Sequence, residues 1–140
     1  MKELSEPYRL QMLFDKMATH LLTQMESSEI DDTNVYRGPC GLKCPVGSII
    51  TDEFYSPELE GKEADEDSVV RAVGRSVGFT LNPTEIKLLM EAQKIHDFSA
   101  PFRWVNKLRA LAEKNFLSFR LHQLRLDKKH QWKLPPRRRT

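Results

Sequence analysis

Apolar residues recur at helical spacing in four separate stretches of the chain. In the first, Leu10, Leu13, Phe14, Met17, Leu21 and Met25 fall on one face, and this spacing predicts a helix over 6–26. Ser5-Glu6-Pro7 supplies its start: a hydroxyl cap, an early acid, and a proline where the missing N–H costs nothing. In the second, Val69, Val70, Val73 and Val77 turn inward over 68–77. Gly78 then fits a left-handed helix end, with Phe79 as the hydrophobic contact that accompanies it. Asn82-Pro83-Thr84-Glu85 opens the third as a cap, a first-turn proline and a reciprocating glutamate. Ile86, Leu89, Met90 and Ile95 carry that helix to about His96, and Leu88 and Ala92 widen its apolar face, so it is expected near the centre of the core. The fourth begins at Ser99-Ala100-Pro101, with Phe102, Val105, Leu108 and Ala112 on one side, Trp104 at its edge and Asn115 as its stop.

Between these stretches the periodicity fails or changes. "SSEIDDTN" (27–34) reads as a polar loop. Residues 35–37 and 42–44 are short β-like runs around Gly38-Pro39-Cys40-Gly41, a turn with proline at its second place, so a small hairpin is expected there. Residues 51–67 have no period and read as a surface loop. "NFLSFRLHQLRLD" (115–127) fits either period and is read as helix, because Arg, Leu and Gln are good helix formers. The sum is an α+β fold, mostly α, with four or five helices around a small β hairpin. The organisation is one globular domain over 1–127 and a basic, flexible tail over 128–140.

Composition adds an uneven charge. The chain has 140 residues and a formal net charge of +2, a size that suits one core. Residues 125–140 hold seven Lys/Arg against Asp127, a net +6, which leaves −4 on the rest. Eight acids against Lys62 crowd 52–67. No apolar run approaches the ~18 residues of a membrane span. The first residues lack a basic flank followed by an apolar run, so a cytoplasmic protein with reduced thiols is expected.

The candidate chemistry lies in "YRGPCGLKCPVGSII" (36–50), which carries both cysteines. With Pro45 as the first residue of a helix, Cys44 would cap it, and exposed N–H groups there favour a thiolate. A nucleophile needs a base, and His96 oriented by Asp97 is the best one in the sequence. The competing reading is a buried apolar thiol at a strand-to-helix corner, with Gly47 allowing close packing. Cys40 and Cys44 alone are two ligands, and His96 or His20 would have to complete a zinc site, so no metal and no cofactor is expected. His96-Asp97 is also the "HD" pair of metal phosphohydrolases, without the further ligands those need. No glycine-rich phosphate loop and no nucleophile elbow occurs. Phe54 and Tyr55, aromatics amid acids, read as partner contacts or as pins that hold the loop to the core. In the tail, Lys128, Lys129, Arg137, Arg138 and Arg139 could contact phosphates, with Trp132 stacking on a base. The tail could equally fold back on the acidic loop of its own chain or of a second copy.

The stretch "YRGPCGLKCPVGSIITDEFYSPELEG" (36–61) resembles a group of small proteins of tailed phages, prophages and their hosts, with a pattern Y-R-G-P-x-G-x-x-C-x-V-G followed by an acidic, aromatic segment ending in E-G. The matching residues are Tyr36, Arg37, Gly38, Pro39, Gly41, Cys44, Val46, Gly47, Tyr55, Glu60 and Gly61, with His96 and Asp97 in a second block, "LLMEAQKIHDF". The resemblance implies a phage or mobile-element accessory protein in the host cell interior. The expected function is non-enzymatic binding of a macromolecule, a host or defence protein first. A cysteine-dependent enzyme using Cys44 and His96, and nucleic-acid binding through the tail, are the alternatives.

Overall fold

The computed structural model describes residues 5–119 and two short strand segments, 125–126 and 132–133. The helices are α1 (Glu6–Gln24), α2 (Pro45–Ile49), α3 (Asp67–Val77), α4 (Pro83–Phe98) and α5 (Trp104–Lys114). Strands β1 (Glu29–Ile30) and β2 (Thr33–Asn34) form one antiparallel hairpin, and β3 (Arg125–Leu126) and β4 (Trp132–Lys133) form another. The fold is therefore α+β and mostly α. No helix among the described residues is long and apolar enough to cross a membrane.

The helix starts follow from local chemistry. Ser5 accepts from the N–H of Tyr8, and Asn82 and Glu85 form the reciprocal box at the start of α4. At the end of α3, Gly78 takes φ 91°, and the N–H groups of Gly78 and Phe79 both reach the Gly74 carbonyl. The core lies between α1, α2, α4 and α5, with Leu13, Phe14, Met17, Leu21, Leu88, Leu89, Trp104 and Leu108 all fully or almost fully buried.

Several expectations are corrected. The polar loop 27–34 is the β1–β2 hairpin, because Asp31 and Asp32 both adopt positive φ (51° and 64°); two such residues match the strand twist, and Asp tolerates that conformation. The hairpin expected at 35–44 is reduced to one bridge, Arg37 to Lys43, around a 3₁₀ turn at Pro39–Gly41. The turn closes the ladder on one side and the start of α2 at Pro45 on the other, while the outward N–H groups of Arg37 and Lys43 go to Glu60 and Gln24. The acidic segment is an ordered loop with a 3₁₀ turn at Pro57–Leu59, anchored by buried Leu59 and Ala64.

The helix expected from Ser99, α5, is also shifted in phase. A 3₁₀ turn at Pro101–Arg103 precedes it, which leaves Phe102 71% exposed and drives Trp104 into the core. Beyond Lys114 the chain does not continue as a helix over 117–119. Phe116 takes φ 58°, its N–H reaches the Glu113 carbonyl, and the Leu117 N–H reaches Ala112. That pattern closes a helix with a left-handed residue, a role glycine usually fills. Arg125–Leu126 is strand rather than helix, while 120–124 lies outside the described residues.

α4 buries two polar residues that periodicity had not placed inside, Glu85 and His96. Arg9 of α1 meets Glu85 with two hydrogen bonds of 2.8 and 3.0 Å. This bidentate pair ties the first helix to the start of α4, and the buried carboxylate has its charge matched.

Candidate functional site

Cys44 caps α2, as its place before Pro45 predicts: its Sγ accepts from the Gly47 N–H at 3.3 Å. The thiol is completely buried. Burial pushes it up to about 12, against the smaller opposing effects of hydrogen bonds from Gly47 and Gln93. Desolvation of the thiolate thus outweighs the hydrogen bonds that would favour it. A Cβ on Gly47 would lie 2.1 Å from the Tyr36 carbonyl oxygen, so only glycine lets α2 press against the 36–44 segment.

His96 is buried beside this corner, and both ring nitrogens are occupied. Nδ1 lies 2.7 Å from Asp97 Oδ1, and Nε2 accepts the Ser28 N–H at 2.9 Å. Those roles define a neutral ring with its proton on Nδ1, donated to Asp97. Trp104 stacks on the ring at 5.7 Å, and its indole N–H donates to the Ser99 carbonyl. Asp97 therefore orients His96, as read from the sequence, but the partner of the histidine is the Ser28 amide and not Cys44. Cys44 in turn is engaged by Gly47 and Gln93.

His20 closes the corner from α1. It donates from Nε2 to the Lys43 carbonyl at 2.8 Å, and Gln24 grips the same residue, accepting its N–H and donating to its carbonyl. Burial holds His20 below its ordinary value, with the nearby Lys43 charge acting in the same direction. The two cysteines face different environments, Cys40 exposed and Cys44 buried, and both are free thiols. Among the described residues no group of three His, Cys, Asp or Glu side chains is placed to hold a metal ion.

Glu60 is the organising residue that sequence reasoning missed. Its carboxylate accepts the N–H groups of Tyr36 and Arg37 at 2.8 and 3.1 Å and the Tyr55 hydroxyl at 2.7 Å. Arg37 lies over the Tyr55 ring at 4.3 Å, pairs with Asp52 at 2.7 Å and donates to the Ile50 carbonyl. Burial, then the hydrogen bond and charge of Glu60, push Tyr55 up to about 12. The Tyr36 hydroxyl donates to the Lys62 carbonyl at 2.6 Å. Phe54 and Tyr55 are half-buried against the core. They are placed as pins, and the acidic segment is clasped onto the 36–50 corner. The signal available in the sequence was Glu60 itself, an acid beside aromatics and opposite Arg37.

Two open features lie elsewhere. A groove of about 400 Å³ runs along α3 and the segment after it, floored by Val70, Phe79 and Leu81 and flanked by Arg71 and Arg75. Arg9 covers the Phe79 ring at 4.4 Å. At the α4–α5 corner Phe98 and Phe102 are 81% and 71% exposed. The backbone of Trp132 belongs to β4, which lies against α1. Lys128, Lys129, Arg137, Arg138 and Arg139 lie outside the described residues. No known family, no curated protein and no solved structure matches this chain.

Proposed function

We propose that the chain is a non-enzymatic accessory protein of a phage or mobile element that binds a protein partner inside the host cell. The groove along α3 carries this reading. Its floor is apolar, with the bare backbone of Gly74 and Gly78 beside Val70, Phe79 and Leu81. Arg75 is exposed on its rim, and Arg71 is held there by an exposed one-turn pair with Asp67 at 2.5 Å. Such a pair is worth a few tenths of a kcal/mol and exchanges readily for another carboxylate. The complementary ligand is a protein segment with an apolar side chain flanked by acids. The closed surroundings of Cys44 favour this reading over a cysteine enzyme, since a buried neutral thiol is a poor nucleophile.

Affinity capture from host extract tests it. A partner retained by the natural chain should be lost with Arg71→Glu/Arg75→Glu, which reverses the rim, and with Thr80→Trp, which fills the groove. Equal retention by all three proteins would refute the groove as the binding site.

A further inference from the structure

A second surface has a different chemistry. α4 and α5 run antiparallel, joined by the short 3₁₀ turn at Pro101–Arg103. Along α4 the outward stripe is Lys87, Glu91, Lys94 and Phe98, at spacings of three and four residues, and Lys87, Lys94 and Phe98 are exposed. Along the turn and α5 it is Arg103, Lys107 and Lys114, all exposed. The ion pair of Lys114 with Glu91, at 2.5 Å, shows that the two stripes lie on the same side of this helical hairpin. Lys94 and Lys107 therefore flank one face, and Phe98, Phe102 and Arg103 occupy its corner.

Charge on this face is mostly positive: Lys87, Lys94, Arg103, Lys107 and Lys114 against Glu91. Asp97 is tied to His96, and Glu91 to Lys114. The phenyl rings are exposed, and the Arg103 guanidinium already lies 5.2 Å from the Phe102 ring centroid. Exposed flat rings interleaved with cations are what a single strand of nucleic acid needs: bases stack on the rings and phosphates meet the cations. A buried-core role is ruled out for both rings by their exposure.

We infer that the α4–α5 corner binds single-stranded nucleic acid without sequence preference, with Phe98 and Phe102 as stacking platforms and Lys94, Arg103 and Lys107 as phosphate contacts. This surface is separate from the α3 groove, so either can stand without the other.

The test is fluorescence anisotropy of the full chain with fluorescein-labelled (dT)15, across a salt series. Binding should weaken steeply with salt. Phe98→Ala/Phe102→Ala should weaken it at least about tenfold, since each stacked base contributes measurably to affinity. Lys94→Glu/Arg103→Glu/Lys107→Glu should weaken it further and flatten the salt slope. The phenylalanine effect should persist when Lys128, Lys129, Arg137, Arg138 and Arg139 are all changed to alanine, which separates the corner from the tail. Absence of binding at low salt, unchanged affinity in the double phenylalanine variant, or loss of the corner's effect once the tail is neutralised would each overturn the inference. So would equal competition by polyglutamate together with an inert phenylalanine pair, which would mark the face as a general polyanion contact. Melting curves of the variants confirm that the fold is intact.

Discussion

The 36–50 corner and the α4–α5 corner invert what their sequences advertise. The first holds both cysteines, three glycines and two prolines, yet its side chains are directed at one another. Glu60, Gln24, His20 and Gln93 satisfy its peptide groups, and Cys44 is sealed beneath them. The second has no unusual motif, yet it leaves two large rings in water. Glycine and proline concentrate where backbone must pass close to backbone, and that need is as often architectural as chemical. Exposed apolar surface beside like charges, by contrast, has no internal partner and is available to an external one.

The contrast can be broken most directly at the thiols. Raising Cys44 from 9.0 to about 12 lowers its thiolate fraction near neutral pH by roughly a thousandfold, before burial slows access. Cys40 should therefore be alkylated readily in the folded protein and Cys44 only after unfolding, as mass spectrometry of the labelled peptides would show. Equal rates at the two thiols would mean that the corner is open after all. Next in size is Gly47→Ala, whose Cβ meets the Tyr36 carbonyl at 2.1 Å. Overpacking against backbone should cost more than about 3 kcal/mol in urea unfolding. A loss below about 1 kcal/mol would show that α2 can retreat.

Glu60→Ala leaves two backbone N–H groups and the Tyr55 hydroxyl without their acceptor. The expected loss is about 2–4 kcal/mol, with proteolysis of the 52–67 segment enhanced. An unchanged cleavage rate would show that the aromatics alone hold the loop. A smaller effect comes from His20. Its folded value lies below the unfolded one near 6.5, so the unfolded chain binds the proton more readily. Its contribution is complete above about pH 6.5 and is lost as pH falls through the folded value. Denaturation midpoints should fall between pH 7.5 and 5, and His20→Asn should flatten that part of the profile. Smallest of all is Phe98→Ala/Phe102→Ala, which should alter stability by no more than about 0.5 kcal/mol per residue, because both rings are already solvated. A large loss would make this corner part of the core and erase the contrast.

Much of the local structure was legible. The start of α4 follows from Asn82, Pro83 and Glu85, the end of α3 from Gly78, and the cap of α2 from the position of Cys44 before Pro45. These rest on atoms within four residues of one another, so sequence spacing carries them. Phase errors came where local signals were weak. Phe102 was expected inward and Trp104 at the edge, and the 3₁₀ turn reversed them. The β1–β2 turn hid in a polar string because two aspartates can take the left-handed conformation only occasionally. The continuation past Asn115 fits either period, and helix propensity of Arg, Leu and Gln tips the reading to helix. A left-handed Phe116 ends α5, and the described residues 117–119 are not helical; such a residue has no reliable sequence mark.

The sequence by itself determined where α1, α2, α3 and α4 begin, and that Cys44 stands at a helix start with His96 and Asp97 adjacent to each other. Tertiary structure alone decided what those residues meet. It gave His96 the Ser28 amide, Glu85 the Arg9 guanidinium, and Glu60 the three donors around Arg37. Those partners are 23 to 76 residues apart, apart from the nearby Tyr55. No periodicity encodes a meeting at that range. It depends on how whole helices pack, and on which buried polar group is left needing a partner once they have.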